Sequence, residues 1–267
     1  MKLLNRFNGN LSSDMMYTSK TAFGKTTGKR VLKKTKRLKI LIAPHSFSDT
    51  PHAFGNNFFP DHYEWLESLG KISNKTQYDW YIKCHPDYTS YFDNTISIVK
   101  KFVKKYPKII YLNSNTSHNQ IIRDGIDYVL TVYGTIAGEY PYFGVNSINA
   151  STHHTQANYN FTVNPKNTKE YLKILNNLKK PHKVNKKKQI LEHHYMKYEY
   201  FNNRWFFNDL NKVKYSIKGY KNLNGIRLYK YWIDNFDPKL HKARYENIKE
   251  FVNSEKYVLT ENSKRNN

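Results

Sequence analysis

Residues 80–86, Trp80-Tyr81-Ile82-Lys83-Cys84-His85-Pro86, and residues 128–139, Tyr128-Val129-Leu130-Thr131-Val132-Tyr133-Gly134-Thr135-Ile136-Ala137-Gly138-Glu139, decide the fold. Each is a β-rich apolar run that stops at residues suited to holding a phosphate. In an open parallel sheet, ligands bind where the strands end. The two stretches outline a nucleotide site.

Working outward, apolar runs at 38–43, 78–84, 108–112, 128–133 and 145–149 read as strands. Helical patterns fall between them, near 61–72, 90–105, 117–124, 135–143 and 167–178. This alternation predicts an α/β fold: βαβ units building a Rossmann-like parallel sheet with helices on both faces, over residues 38–178. Residues 1–37 lack hydrophobic periodicity and carry many Lys and Arg with Asp14 as their one acid, which reads as a basic arm or remnant linker. Residues 179–267 open with a basic hinge, Lys179-Lys180-Pro181-His182-Lys183, and continue as a mainly helical tail. Its aromatic cluster from Tyr195 to Phe207 predicts an interface.

The chain has 267 residues, with 44 Lys and Arg against 21 Asp and Glu, a formal charge of +23. Such a charge calls for anionic partners: nucleotide phosphates, acidic glycans, an anionic membrane surface or nucleic acid. The aromatics form no RNA-binding signature, which counts against nucleic acid. Cys84 is the single cysteine, so an intrachain disulfide framework is excluded and a reducing compartment is expected. No apolar run approaches a signal peptide or the roughly 18 residues of a membrane span. The expected location is the cytoplasm, with the basic stretches 29–39 and 179–188 able to hold the chain at the inner face of an anionic membrane.

The chemistry concentrates at three strand ends. Pro86 removes a ladder donor and keeps His85 extended, so His85 projects at the carboxyl edge of the sheet, with Lys83 adding charge nearby. Thr131, within the second run, is a candidate donor-binding residue, and Gly134 and Thr135 open a helix, where backbone N–H groups and a hydroxyl gather at a positive terminus. Glu139, one turn further on, is placed to accept hydrogen bonds from ribose hydroxyls. The loop after the first run holds His45, Ser46, Asp49 and His52 and faces the same crevice. Two His and one Asp are chemically able to hold a metal, but their spacing matches no strong metal pattern. A phosphate or sugar contact serves them equally well.

Other features carry less. Gly24-Lys25-Thr26 resembles the end of a P-loop, yet Ser19 stands where its first glycine belongs. The neighbours His153 and His154, and His193 and His194, point different ways on any regular element, so solvent-exposed positions are expected.

The pattern Ile42-Ala43-Pro44-His45-Ser46-Phe47, then Trp80 to Pro86, then Leu130 to Tyr140, resembles the carboxyl-terminal, donor-binding half of bacterial surface-polysaccharide glycosyltransferases of the GT-B fold. Capsule polysaccharide synthesis proteins related to Kdo transferases are the nearest of these groups, and polysialyltransferases and teichoic-acid glycerophosphotransferases share a similar His-Pro and Ser/Thr layout. The resemblance covers roughly residues 38–178. It implies that His85 and Pro86 bracket a donor phosphate, that Gly134 and Thr135 bind it from the helix terminus, and that Glu139 meets the ribose. His45 and Ser46 would line the cleft, and Asp49 and His52 are the catalytic candidates.

One departure matters. Such enzymes place the reaction between two Rossmann-like domains, and the 37 residues before the first strand are too few for the amino-terminal, acceptor-binding one. The expectation is therefore a donor-binding domain for an activated nucleotide sugar, most suitably a CMP-sugar, that needs a partner chain, a second copy or a longer parent protein. The acceptor would be a glycan or glycolipid, and no cofactor beyond the donor is expected. A nonenzymatic nucleotide- or glycan-binding subunit, or a glycerophosphotransferase-like enzyme using CDP-glycerol, fits the same residues.

Overall fold

The computed structural model describes residues 2–10, 20–48, 57–89, 94–200, 226–236 and 238–256. The chain divides into two compact units, Met1–Tyr198 and Glu199–Asn267. The first is α/β. Its elements run α1 (Lys2–Phe7), β1 (Lys39–Ile42), α2 (His62–Lys75), β2 (Asp79–Lys83), α3 (Thr95–Lys105), β3 (Ile109–Leu112), α4 (His118–Arg123), β4 (Tyr128–Thr131), α5 (Ile136–Glu139), β5 (Asn146–Asn149), α6 (Thr168–Asn176) and α7 (Lys187–His194). All five expected strands form, and they pair in parallel in the order β3-β2-β1-β4-β5.

Both faces of the sheet are covered, so strand residues are apolar on both sides of the pleat. Ile40 and Ile42 enter one core with Trp65, Leu66, Val99 and Phe102 from α2 and α3. Leu41, between them, enters the opposite core with Tyr81, Ile121 and Val129. Local chemistry fixes the helix starts. Asp61, Ser117 and Asn167 each accept a hydrogen bond from a backbone N–H in the first turn of α2, α4 and α6.

The predicted helix over 135–143 is shorter than its pattern. Pro141 has no N–H to offer the Ala137 carbonyl, which takes the Ser147 hydroxyl at 2.8 Å instead. The α-helix stops after one turn, a 3-10 turn covers Tyr140–Phe143, and Gly144 closes it at φ +85°.

The segment read as an arm is built into this unit among its described residues. Leu3, Phe7 and Phe23 are buried with Phe161 and Ile190 in a third core. Leu32 joins the core beside Tyr81, and the Val31 and Leu32 amides both donate to the Asp124 carboxylate. Sequence pattern missed this because the segment's partners are single residues far along the chain rather than its own periodic neighbours. Likewise α7, placed in the tail by its basic surroundings, buries Ile190 against α1, and the division falls after Tyr198. Of the expected aromatic cluster, residues 201–207 lie outside the described residues. The second unit contains helices Ile226–Asp234 and Pro238–Val252, with Ile226, Ile233 and Tyr245 exposed.

Gly70 shows how tightly the larger core closes. A Cβ there would stand 2.4 Å from the Tyr106 ring. The Tyr106 hydroxyl also donates to Glu67 at 2.8 Å, so the ring is pinned. We expect Gly70→Ala to destabilise the protein by about 1–3 kcal/mol through overpacking, despite alanine's better helix propensity. A lower urea midpoint with unchanged slope is the measurement that checks this.

Candidate functional site

Because all five strands run in parallel, their carboxyl ends share one edge. The strand order reverses between β1 and β4, which makes the loops after those strands the walls of a crevice at the switch point. His45, three residues beyond β1, crosses to β4: its Nε2 lies 3.2 Å from Thr131 Oγ1 and 3.3 Å from the Tyr133 amide. The imidazole stacks on His62 at 4.8 Å and packs against Tyr133. Ser46 is buried beside it, its hydroxyl 2.9 Å from that of Ser48. Asp49 and His52 lie outside the described residues.

Gly134 is dictated by this packing. Its amide donates to Thr131 Oγ1 at 3.3 Å, and a Cβ there would sit 2.6 Å from that oxygen. Only glycine lets the chain turn so closely over the strand end. The expected strong helix terminus at Gly134 and Thr135 is weaker than predicted. The helix it opens is a single turn, and the Thr135 side chain makes no cap hydrogen bond. Positive charge comes from elsewhere.

That charge comes from Arg6 of α1. Its guanidinium lies 2.7 Å from a Glu139 oxygen and 3.5 Å from the Thr135 hydroxyl. Glu139, expected to be open to a ribose, is buried and shares this ion pair. No signal in the sequence marked Arg6, since its segment has no repeat, motif or periodicity of its own.

Lys83 and His85 follow β2 into the same region. Lys83 is 3% exposed, and among the described residues its ammonium meets no carboxylate. Its polar contact is His118 Nε2 at 3.4 Å, and His118 Nδ1 is 2.6 Å from the Tyr140 hydroxyl. With Nε2 accepting from the ammonium, the imidazole proton resides on Nδ1 and is donated to Tyr140. His85 is half-buried and accepts from the Asp87 amide at 3.2 Å, the 3-10 turn Pro86–Thr89 following directly as Pro86 requires. His118 opens α4 just past the end of β3, and that placement is the signal by which sequence reading could have found it.

Burial is the first cause of the electrostatics here. It lowers the Lys83 pKa from 10.5 to about 8. It lowers His85 to about 4, helped by the charges of Lys83 and Arg6 and opposed by Asp87. His118 is pushed well below its ordinary value by burial and then by Lys83, His85 and Arg6. At neutral pH the cluster holds the Arg6–Glu139 ion pair, the Asp87 carboxylate beside His85, two neutral imidazoles and the Lys83 ammonium, which meets no carboxylate among the described residues. An anion with hydrogen-bond acceptors is the chemical group that satisfies it.

The neighbouring histidines His193 and His194, expected at exposed positions, are both buried. His193 lies beside Gly138 and bonds to Thr155, and burial lowers its pKa to about 4. His153 is exposed as expected, whereas His154 is half-buried against Gln156. Among the described residues no cluster of three or more His, Cys, Asp or Glu is arranged to hold a metal ion. No known protein-family model matches the chain, and no curated protein matches it significantly.

The buried ammonium leads to a pH prediction. Lys83 has a lower pKa folded than unfolded, so its cost to stability is fully present below pH 8 and is relieved as pH rises from about 8 to 10.5. We therefore expect Lys83→Met to be more stable than the parent at pH 7 by a few kcal/mol, with the gap closing by pH 10. Chemical denaturation of both proteins at the two pH values checks the sign.

Proposed function

We propose that the Met1–Tyr198 unit binds the phosphate-bearing part of a nucleotide sugar and serves the transfer of that sugar in surface polysaccharide or glycolipid synthesis. The observation that carries this reading is Lys83: a cation buried at the carboxyl edge of a parallel sheet, close to the switch point, flanked by His118 and His85 and facing no described carboxylate. A buried unpaired charge costs stability, and natural sequences keep such a residue where a ligand compensates it.

The work asked of these residues is electrostatic. Lys83 neutralises the leaving phosphate, while His85, the Thr135 hydroxyl and Arg6, itself held by Glu139, offer hydrogen bonds to its oxygens, and the crevice at His45 receives the nucleoside. The donor nucleotide we favour is a cytidine monophosphate, from the resemblance of the three strand ends to CMP-sugar enzymes.

A nonenzymatic binding subunit is the second reading, and one observation favours it. The described carboxylates of the site are engaged, Glu139 with Arg6 and Asp87 beside His85, so neither stands ready as a general base. A base supplied by a partner domain restores catalysis. A transferase assay on the purified chain, alone and with its acceptor-domain partner, separates the two readings.

The edge of the sheet opposite the site supports a peripheral location on an anionic membrane. The strand beginnings gather there, and with them exposed Lys33, Lys34, Lys36 and Arg37 before β1 and Lys108 before β3. Tyr128, at the start of β4, donates to the Lys179 carbonyl, bringing exposed Lys179 and Lys180 to the same edge. The acids Asp79, Asp124 and Asp127 at that edge are held by local hydrogen bonds, from Thr35, the Val31 and Leu32 amides and the Lys39 amide, and the exposed cations outnumber them. Lysine point charges on such a face suit a diffuse anionic surface, and the ligand edge then faces away from the headgroups.

Two measurements follow. Calorimetric titration with CMP, CDP, UDP and GDP should give tightest binding to a cytidine nucleotide, and His85→Ala or Thr135→Ala should each weaken it by roughly 1–3 kcal/mol at unchanged melting temperature. Unfolding by either substitution, with normal affinity in the folded fraction, would assign that residue to structure instead. Separately, replacing Lys33, Lys34, Lys36, Lys179 and Lys180 by Gln should reduce co-sedimentation with phosphatidylglycerol vesicles by at least about tenfold. Glutamine at exposed Lys100, Lys101, Lys166 and Lys169 should change it little; equal losses would deny the edge any special role.

A further inference from the structure

Beside Thr135 and Glu139 lies a cleft that shares Arg6 and Thr135 with the phosphate site and extends beyond it. It is bounded by Arg6 of α1, Gly138 and Glu139 of α5, Gln156 from the loop after β5, and His193 of α7. The space inside is about 10 Å3, room for one water-sized group.

Gln156 is the telling residue. It is fully buried, and its Oε1 accepts from His154 Nδ1 at 3.1 Å, but its Nε2 has no hydrogen-bond partner among the described residues. A buried amide nitrogen without an acceptor is costly. That nitrogen faces the cleft together with His193 Nδ1. A Cβ built on Gly138 would lie 3.5 Å from each, so the absent side chain of Gly138 leaves this space open.

The charges around the cleft cancel. Arg6 and Glu139 form an ion pair, and His193 is neutral at physiological pH. A second phosphate, a carboxylate or a metal cation therefore finds no net field there. Among the lining groups, Gln156 Nε2 is a buried donor without a partner among the described residues and the Glu139 carboxylate is an acceptor, and this pair is the complement of a hydroxyl group.

We propose that this cleft receives one hydroxyl of the sugar carried by the nucleotide, with Gln156 donating to its oxygen and Glu139 accepting its proton, so that Gln156 and Gly138 help determine which sugar is accepted. The inference rests on the nucleotide-sugar reading above. It adds to that reading a subsite that Thr135 lines and Lys83 does not. A site built to hydrogen-bond a hydroxyl discriminates strongly against ligands that lack it, because its buried polar groups are then left unpaired.

Gly138→Ala tests this directly. The added methyl fits at ordinary contact distance, plugs the cleft, and suits a helical turn, so the protein should fold with an unchanged or raised melting temperature. The full chain is titrated with CMP against CMP-N-acetylneuraminate, and with UDP against UDP-glucose. In the parent, at least one sugar nucleotide should bind more tightly than its bare nucleotide. In Gly138→Ala and in Gln156→Leu that advantage should fall by at least about threefold while the bare nucleotide binds as before. Should Gln156→Leu fail to fold, Gly138→Ala decides alone. If Gly138→Ala keeps the full advantage, or if the parent shows none for either sugar, the cleft holds only water and the subsite is refuted while nucleotide binding stands. If no nucleotide binds at all, the function proposed above falls and the subsite falls with it.

Discussion

A lysine ammonium closes a strand whose every residue is buried, and the arrangement around it is best understood as a response to that charge. β2 carries Lys83 to the carboxyl edge at 3% exposure, where its described polar contact is an imidazole rather than a carboxylate. Desolvation of this kind opposes the charged form, as the fall of its pKa to about 8 records. The fold tolerates the cost because the rest of the sheet is rich in large buried side chains. It gains a cation that water does not screen, and in such surroundings its attraction for an anion is far stronger than at a surface.

The second cation is handled differently. Arg6 approaches from α1 and meets Glu139 at 2.7 Å with Thr135 also in reach. A guanidinium's planar fork can hold a carboxylate and still present N–H groups to another acceptor, which the compact ammonium of a lysine cannot do with the same geometry. Lys83 is thus the unneutralised charge and Arg6 the paired one. Between them His85 and His118 are kept neutral, so they contribute directed hydrogen bonds without adding to the repulsion.

Much of this was legible in the chain. Runs such as Lys39–Ile42 and Asp79–Lys83 announced strands because both of their faces are buried, which leaves continuous apolar stretches. His85-Pro86 and Gly134-Thr135 announced strand ends because proline and glycine have local backbone consequences that do not depend on the rest of the fold. The failures are of another kind. Arg6 and His118 act through contacts across 129 and 35 residues of chain, where no period or spacing reports them. The exception is instructive: Pro141 was present in the predicted helix over 135–143, and its missing donor was sufficient to foretell that the α-helix would stop.

The place of α1 follows from the same distinction. A short amphiphilic segment next to a lysine-rich stretch has no means of forming a core by itself, and by composition it belongs with flexible arms. It becomes ordered because Leu3 and Phe7 complete a small apolar cluster whose other members, Phe23, Phe161 and Ile190, come from three separate parts of the chain. Burying those side chains fixes the helix, and fixing the helix delivers Arg6 to Glu139. The electrostatics of the site therefore depend on hydrophobic contacts that touch no ligand. Loosening that cluster would withdraw a guanidinium from the cleft and leave the Glu139 carboxylate buried without its partner.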